Sequence, residues 1–172
     1  KNIFFMNKNK IIVIAEAGGN HNGSIKKAFK LVDIAKKAGA DYVKFQSFTA
    51  DSLVSKNAPK AKYQQKNVKN LSHYEMISNL SMSYQMHKKL FDYCKLKKIK
   101  FLSSIFSVKS LQMLKKFKID YLKIPSGEIT NLPLLVEAAK SKKPLILSTG
   151  MCSLKEVVTA VKILLKNGLN KY

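Results

Sequence analysis

The chain has 172 residues, 46% of them hydrophobic, enough for one packed core within the size of a single domain. Its formal charge is +22, from 32 basic and 10 acidic residues, and every basic residue is lysine. The lysines are scattered over helix faces without a contiguous run, and no guanidinium is present to read guanine or phosphate bidentately, which argues against a dedicated nucleic-acid domain.

Met6, ahead of a lysine- and asparagine-rich stretch, reads as a natural start, so residues 1–10 form a lead-in whose first five are extraneous. Strand-like apolar runs follow at residues 11–17, 41–47, 99–106, 120–125 and 144–148. Between them lie helix-period segments. Residues 26–38 set Ala28, Leu31, Val32, Ala35 and Ala38 on one stripe, with Ser24 as N-cap and Gly39 as terminator. Ser83 opens a helix to about residue 97 and Ser107 one to residue 117. Asn131 caps a helix with Pro133 in its first turn, and Ser153 and Glu156 have capping-box spacing ahead of Val157, Ala160, Val161 and Leu164. Residues 48–82 break the rhythm. A connection of that length that contains Tyr63, Gln64, Gln65, Tyr74 and Met76 reads either as an active-site cover or as a mobile loop.

Five strand-then-helix alternations predict an α/β fold with a parallel sheet. A doubly wound sheet and a (β/α)8 barrel look alike at this stage, and five units are too few to close an ordinary barrel, so the chain reads as a piece of something longer. No apolar run approaches the roughly 18 residues of a membrane span, and residues 1–5 are too short for a signal core. Cys94 and Cys152 form no metal spacing. An untargeted cytoplasmic protein with reduced thiols is expected.

In such folds ligands meet the carboxyl ends of the strands, where Glu16, Lys44, Gln46, Ser103, Ser104, Lys123, Ser126, Glu128, Ser148 and Thr149 fall. Lys44 lies between Val43 and Phe45, and Lys123 between Leu122 and Ile124, positions where an ammonium needs a partner of opposite charge. Alternation puts Lys44 and Gln46 on one side and Val43 and Phe45 against the helices. Each lysine could instead form a structural ion pair with Glu16 or Glu128, but several polar residues on consecutive strand ends favour a small phosphate or carboxylate ligand. The loop GGNHNGS after the first strand lacks dinucleotide and P-loop spacings. His21 in it is either an acid or base or a loop histidine bonded to backbone, and His73 and His87 have no ligand spacing, so no metal ligand is assigned within the chain.

The stretches AEAGGNHNGS, ADYVKFQSF, FLSSIFS, KIPSGEITNLPLL and ILSTGM, in this order, resemble the N-acetylneuraminate (sialic acid) synthase family, with particular similarity to its N,N'-diacetyllegionaminate synthase branch. The resemblance covers nearly all of residues 11–168. It implies a transferase of sialic acid biosynthesis that condenses phosphoenolpyruvate with an open-chain N-acyl mannosamine sugar and releases phosphate. It also implies a (β/α)8 TIM barrel of which residues 11–172 are the N-terminal part, with later strands and a small antifreeze-like domain absent, and a homodimer in the full-length form. Lys44, Ser104, Lys123 and Ser126 would hold the phosphate and carboxylate of phosphoenolpyruvate, with Ser148 a weaker candidate for the same task. Gln46 and Glu128 would contact the sugar, and Glu16 would sit beside the reacting carbons and a metal-bound water. The implied divalent metal, manganese or magnesium, would take its histidine ligands from outside this chain. One departure is Ser103-Ser104-Ile105-Phe106, where the family often has Ser-Thr-Pro-Phe; the hydroxyl is kept and the proline is lost. Alone, the chain is expected to be inactive and marginally stable. The rival readings are a phosphate-binding barrel aldolase, which needs a Schiff-base lysine, and a basic nucleic-acid-binding domain.

Overall fold

The computed structural model describes residues 11–59 and 71–169. Five strands, β1 (Ile14–Gly18), β2 (Tyr42–Ser47), β3 (Lys100–Ile105), β4 (Leu122–Ile124) and β5 (Leu145–Leu147), form one parallel sheet in chain order. The described helices are α1 (Ile25–Lys37), α2 (Ala50–Leu53), α3 (His73–Leu80), α4 (Tyr84–Leu96), α5 (Val108–Leu114), α6 (Leu132–Lys140) and α7 (Leu154–Lys166). A doubly wound sheet reverses its strand order at a switch point, whereas this order runs monotonically from β1 to β5. It is the order of a (β/α)8 barrel, of which the chain holds five β/α units.

The predicted caps form. Ser24, Ser83, Ser107, Asn131 and Ser153 each accept a first-turn backbone N–H, and Ser153 with Glu156 closes a capping box. Gly39 takes φ +80 just after the Ala38 C-cap, a left-handed conformation that glycine adopts without strain. The helix expected to reach residue 117 stops at Leu114, and Phe117 and Ile119 turn into the core instead. Among the described residues of the span 48–82 lie α2 and α3, and Tyr74 Oη donates to Asp51 Oδ1 at 2.6 Å to join the two. Tyr63, Gln64 and Gln65 lie outside the described residues.

The core sits between sheet and helices. Val43, Phe45, Phe101, Ile105, Leu122 and Ile124 meet Val32, Leu90, Leu111 and Leu134 there. Burial pushes the Cys94 thiol up to about 12, so it stays protonated and inert. At the amino ends of the strands, Asp120 Oδ2 accepts from Tyr42 Oη and Lys100 Nζ, both at 2.7 Å, beside a cavity of about 660 Å³. Lys100 and Asp120 form an ion pair at that end. No helix among the described residues is long and apolar enough to cross a membrane.

Candidate functional site at the carboxyl ends of the strands

Register decides which polar residues meet. Gln46 pairs with Ser104, Ser104 with Lys123 and Lys123 with Ile146, which makes one row across four strands. Glu16 pairs with Lys44 and Lys44 with Leu102, one level deeper. Because side chains alternate with period two, Glu16, Lys44, Gln46, Ser104 and Lys123 share the face opposite the helices.

A bulge between Glu16 and Gly18 interrupts β1, and Gly18 sits at φ +50. A methyl group on Gly18 would come within 3.2 Å of Glu16 Oε1 and 3.8 Å of Gln46 Nε2, so these two side chains converge over a backbone that only glycine leaves open. Glu16 closes an ion pair with Lys44, and Lys44 Nζ also donates to Ser104 Oγ at 3.2 Å. The structural ion pair weighed for Lys44 is therefore made, on the shared face. Among the described residues, Lys123 has no such carboxylate. Its Nζ donates to Ile124 O at 2.9 Å and to Ser148 Oγ at 2.5 Å. Burial, followed by the positive charge of Lys44, lowers Lys123 to about 8, partly offset by the negative charge of Glu16.

Ser126 and Glu128 lie on a 3₁₀ turn just after β4. Glu128 Oε2 accepts from Asn131 Nδ2 at 2.7 Å, and Asn131 Oδ1 caps α6, so the carboxylate is tethered to a helix start. His21 is buried, its Nδ1 accepting from the Gly23 N–H at 3.0 Å, and burial lowers its pKa. It is a loop histidine bonded to backbone. The end of α3 packs on this same loop: a methyl on Gly19 would touch Leu80, and one on Gly23 would come within 2.6 Å of Asn79 O.

Ser103 does not belong to the rim. It faces the helix layer, where its Oγ lies 2.6 Å from Ser47 Oγ, and Ser47 Oγ lies 2.8 Å from His87 Nε2. Sequence reasoning missed this buried network. Its signal was present: alternation from Gln46 and Ser104 puts Ser47 and Ser103 on the apolar side, where a hydroxyl needs a partner, and His87 falls on the α4 stripe with Leu90 and Cys94.

Two ammonium groups, one carboxylate and two hydroxyls thus form a locally cationic cluster. A lysine carries three donors. Lys44 spends two on Glu16 and Ser104, and Lys123 two on Ile124 and Ser148, so each retains an N–H for an incoming anion. Among the described residues, no group of three or more His, Cys, Asp or Glu side chains could hold a metal ion. These residues do not by themselves build the metal site that the resemblance implies.

The profile of the NeuB family matches residues 31–172. N,N'-diacetyllegionaminic acid synthase of Campylobacter jejuni is 46% identical over 163 residues, 94% of this chain and 49% of that protein. The enzyme of the same name from Legionella pneumophila is 46% identical over 93% of this chain and 46% of that protein. N-acetylneuraminic acid (sialic acid) synthetase from Leptospira borgpetersenii, a crystal structure with citrate, matches with a TM-score of 0.80 and 32% identity, covering 92% of this chain and 51% of that one. The chain spans about half the length of the curated relatives it matches. On a profile match over most of its residues and this identity to two synthases, the chain belongs to the NeuB family.

Proposed function

We propose that the chain supplies the phosphoenolpyruvate-binding half of a cytoplasmic nonulosonic acid synthase, a homodimer when complete, that condenses phosphoenolpyruvate with an N-acyl mannosamine sugar. On this reading residues 1–10 are a lead-in and residues 11–172 the N-terminal part of the barrel domain. The observation that carries the proposal is the pair Lys44 and Lys123 on one face of the sheet, on β2 and β4 with β3 between them, each with a donor to spare. The Leptospira borgpetersenii structure is a complex with citrate, a small polycarboxylate, which supports this reading.

Lys44, Ser104, Lys123 and Ser126 hold the phosphate and carboxylate, with Ser148 orienting the Lys123 ammonium. C3 of the enol adds to the sugar aldehyde, whose oxygen becomes an alkoxide; water adds to C2, the C2–O bond to phosphate breaks to leave the ketone, and of the two water protons one ends on the alkoxide and one on the departing phosphate. Positive charge develops at C2 in that step, and Glu16, fixed beside Lys44, offers the compensating negative charge. Gln46 and Glu128 meet the sugar from two sides. No step is assigned to a metal; among the described residues no group of three or more His, Cys, Asp or Glu side chains could hold one.

A chimera in which this chain replaces the matched half of the Campylobacter jejuni relative tests the proposal. It should release phosphate from phosphoenolpyruvate only when a mannosamine-type sugar is present, and the Lys44→Met chimera should not. A folded chimera that releases none contradicts it. Lys123, lowered to about 8, favours a second reading: an amine of that kind is what a Schiff-base aldolase needs. Borohydride reduction with a carbonyl substrate traps the aldolase and leaves the synthase untouched.

A further inference from the structure

We propose that His87 is a positioning residue: through Ser47 and Ser103 it holds the carboxyl ends of β2 and β3 in the register that turns Gln46 and Ser104 toward the shared face, and it ties that rim to the amino end of α4. The three side chains lie in the helix-facing layer and are 0–1% exposed. A chain of hydrogen bonds with a defined direction joins them. His87 Nδ1 lies 2.8 Å from Ser83 O, a carbonyl that can only accept, so Nδ1 carries the proton. Burial lowers the pKa of His87 and keeps the ring neutral, so Nε2 accepts from Ser47 Oγ at 2.8 Å. With its own proton committed, Ser47 accepts from Ser103 Oγ at 2.6 Å. Ser83 is the N-cap of α4, and its carbonyl also accepts the His87 backbone N–H at 3.0 Å.

The geometry is a cross-brace. Ser47 pairs in register with Ile105 but reaches diagonally back to Ser103 on the helix side. Lys44 pairs with Leu102 but reaches diagonally forward to Ser104 on the other face. A one-residue slip of β2 against β3 breaks both diagonals and turns Gln46 and Lys44 away. The hydrogen bonds of these three side chains run to one another and to Ser83, not to Lys44, Glu16 or Lys123, so their effect on a ligand is indirect.

Amide hydrogen exchange and imidazole nitrogen shifts by NMR, together with calorimetry of phosphoenolpyruvate binding, test this on wild type, Ser47→Ala and Ser47→Thr. Wild type should show His87 protonated at Nδ1. Ser47→Ala should speed exchange at Gln46 and Ser104 about tenfold relative to Lys123 and Ile146. It should also weaken phosphoenolpyruvate binding about tenfold, the equivalent of one lost hydrogen bond. Ser47→Thr, which restores the hydroxyl, should recover both. The opposite tautomer, a uniform or absent change in Ser47→Ala, or a threonine variant as impaired as alanine overturns the proposal. The binding arm rests on the proposed function: a wild type that does not bind phosphoenolpyruvate sinks that function, while tautomer and exchange alone decide the positioning role.

Discussion

Lys123 is the residue on which the electrostatics turn. Its ammonium is held among Leu122, Ile124 and the charge of Lys44 with two neutral acceptors and, among the described residues, no carboxylate in an ion pair with it, so its charged form is less favoured than that of an ordinary lysine until an anion arrives. Binding of phosphoenolpyruvate should therefore take up protons above about pH 8, and affinity measured by calorimetry should fall as pH rises through about 8. Lys123→Met should weaken binding at least about thirtyfold, as expected for truncating one partner of a buried charge-assisted contact, and should flatten that pH profile. The sign for folding is opposite to that of a salt-bridged lysine. Between about 8 and the ordinary lysine value of 10.5 the unfolded chain binds more protons than the folded one. This group therefore makes the protein more stable to denaturant as pH rises across that window, and Lys123→Met should remove the increment.

At the scale of elements, the β1–α1 loop is where the segment that follows β2 returns to the sheet. Gly23 takes φ +73 and has Asn79 O where a Cβ would sit, so Gly23→Ala meets both backbone strain and a clash. The expected cost is about 1–3 kcal/mol in denaturant unfolding, with faster proteolysis around α3 than around α6; an alanine variant of wild-type stability would show that α3 does not rest on this loop. The caps and the strand-helix rhythm were legible in the sequence because Ser24, Ser83, Ser107, Asn131 and Ser153 each sit one residue before an apolar stripe. α2 and α3 were not. α2 has only four residues and α3 buries none completely, so neither carries a stripe strong enough to read. The bulge at Glu16 was also hidden, since nothing in Ala15, Glu16 and Ala17 marks an interruption of alternation before Gly18.

For the whole molecule, alternation told that Lys44 and Gln46 share a face, but only the stagger between strands decides that Ser104 and Lys123 stand level with Gln46 while Glu16 stands level with Lys44. Stagger depends on pairing between residues about 60 positions apart, such as Gln46 and Ser104, which local pattern does not encode. The sheet pairs β1 and β5 on one side each, and Leu145, Leu147, Val157, Val161, Leu164 and Leu169 line an apolar groove beside β5. The isolated 172-residue chain should consequently bind an apolar dye and sediment as a concentration-dependent mixture, with no phosphate release from phosphoenolpyruvate and N-acetylmannosamine in the presence of manganese. Robust turnover by that chain would show that five units suffice. The most direct test of the account is a crystal structure of the protein with phosphoenolpyruvate. The prediction is that phosphate and carboxylate oxygens lie about 2.7–2.9 Å from the Nζ atoms of Lys44 and Lys123. Phosphoenolpyruvate bound elsewhere, with Lys44 still closed on Glu16 and Lys123 on Ser148, would contradict it.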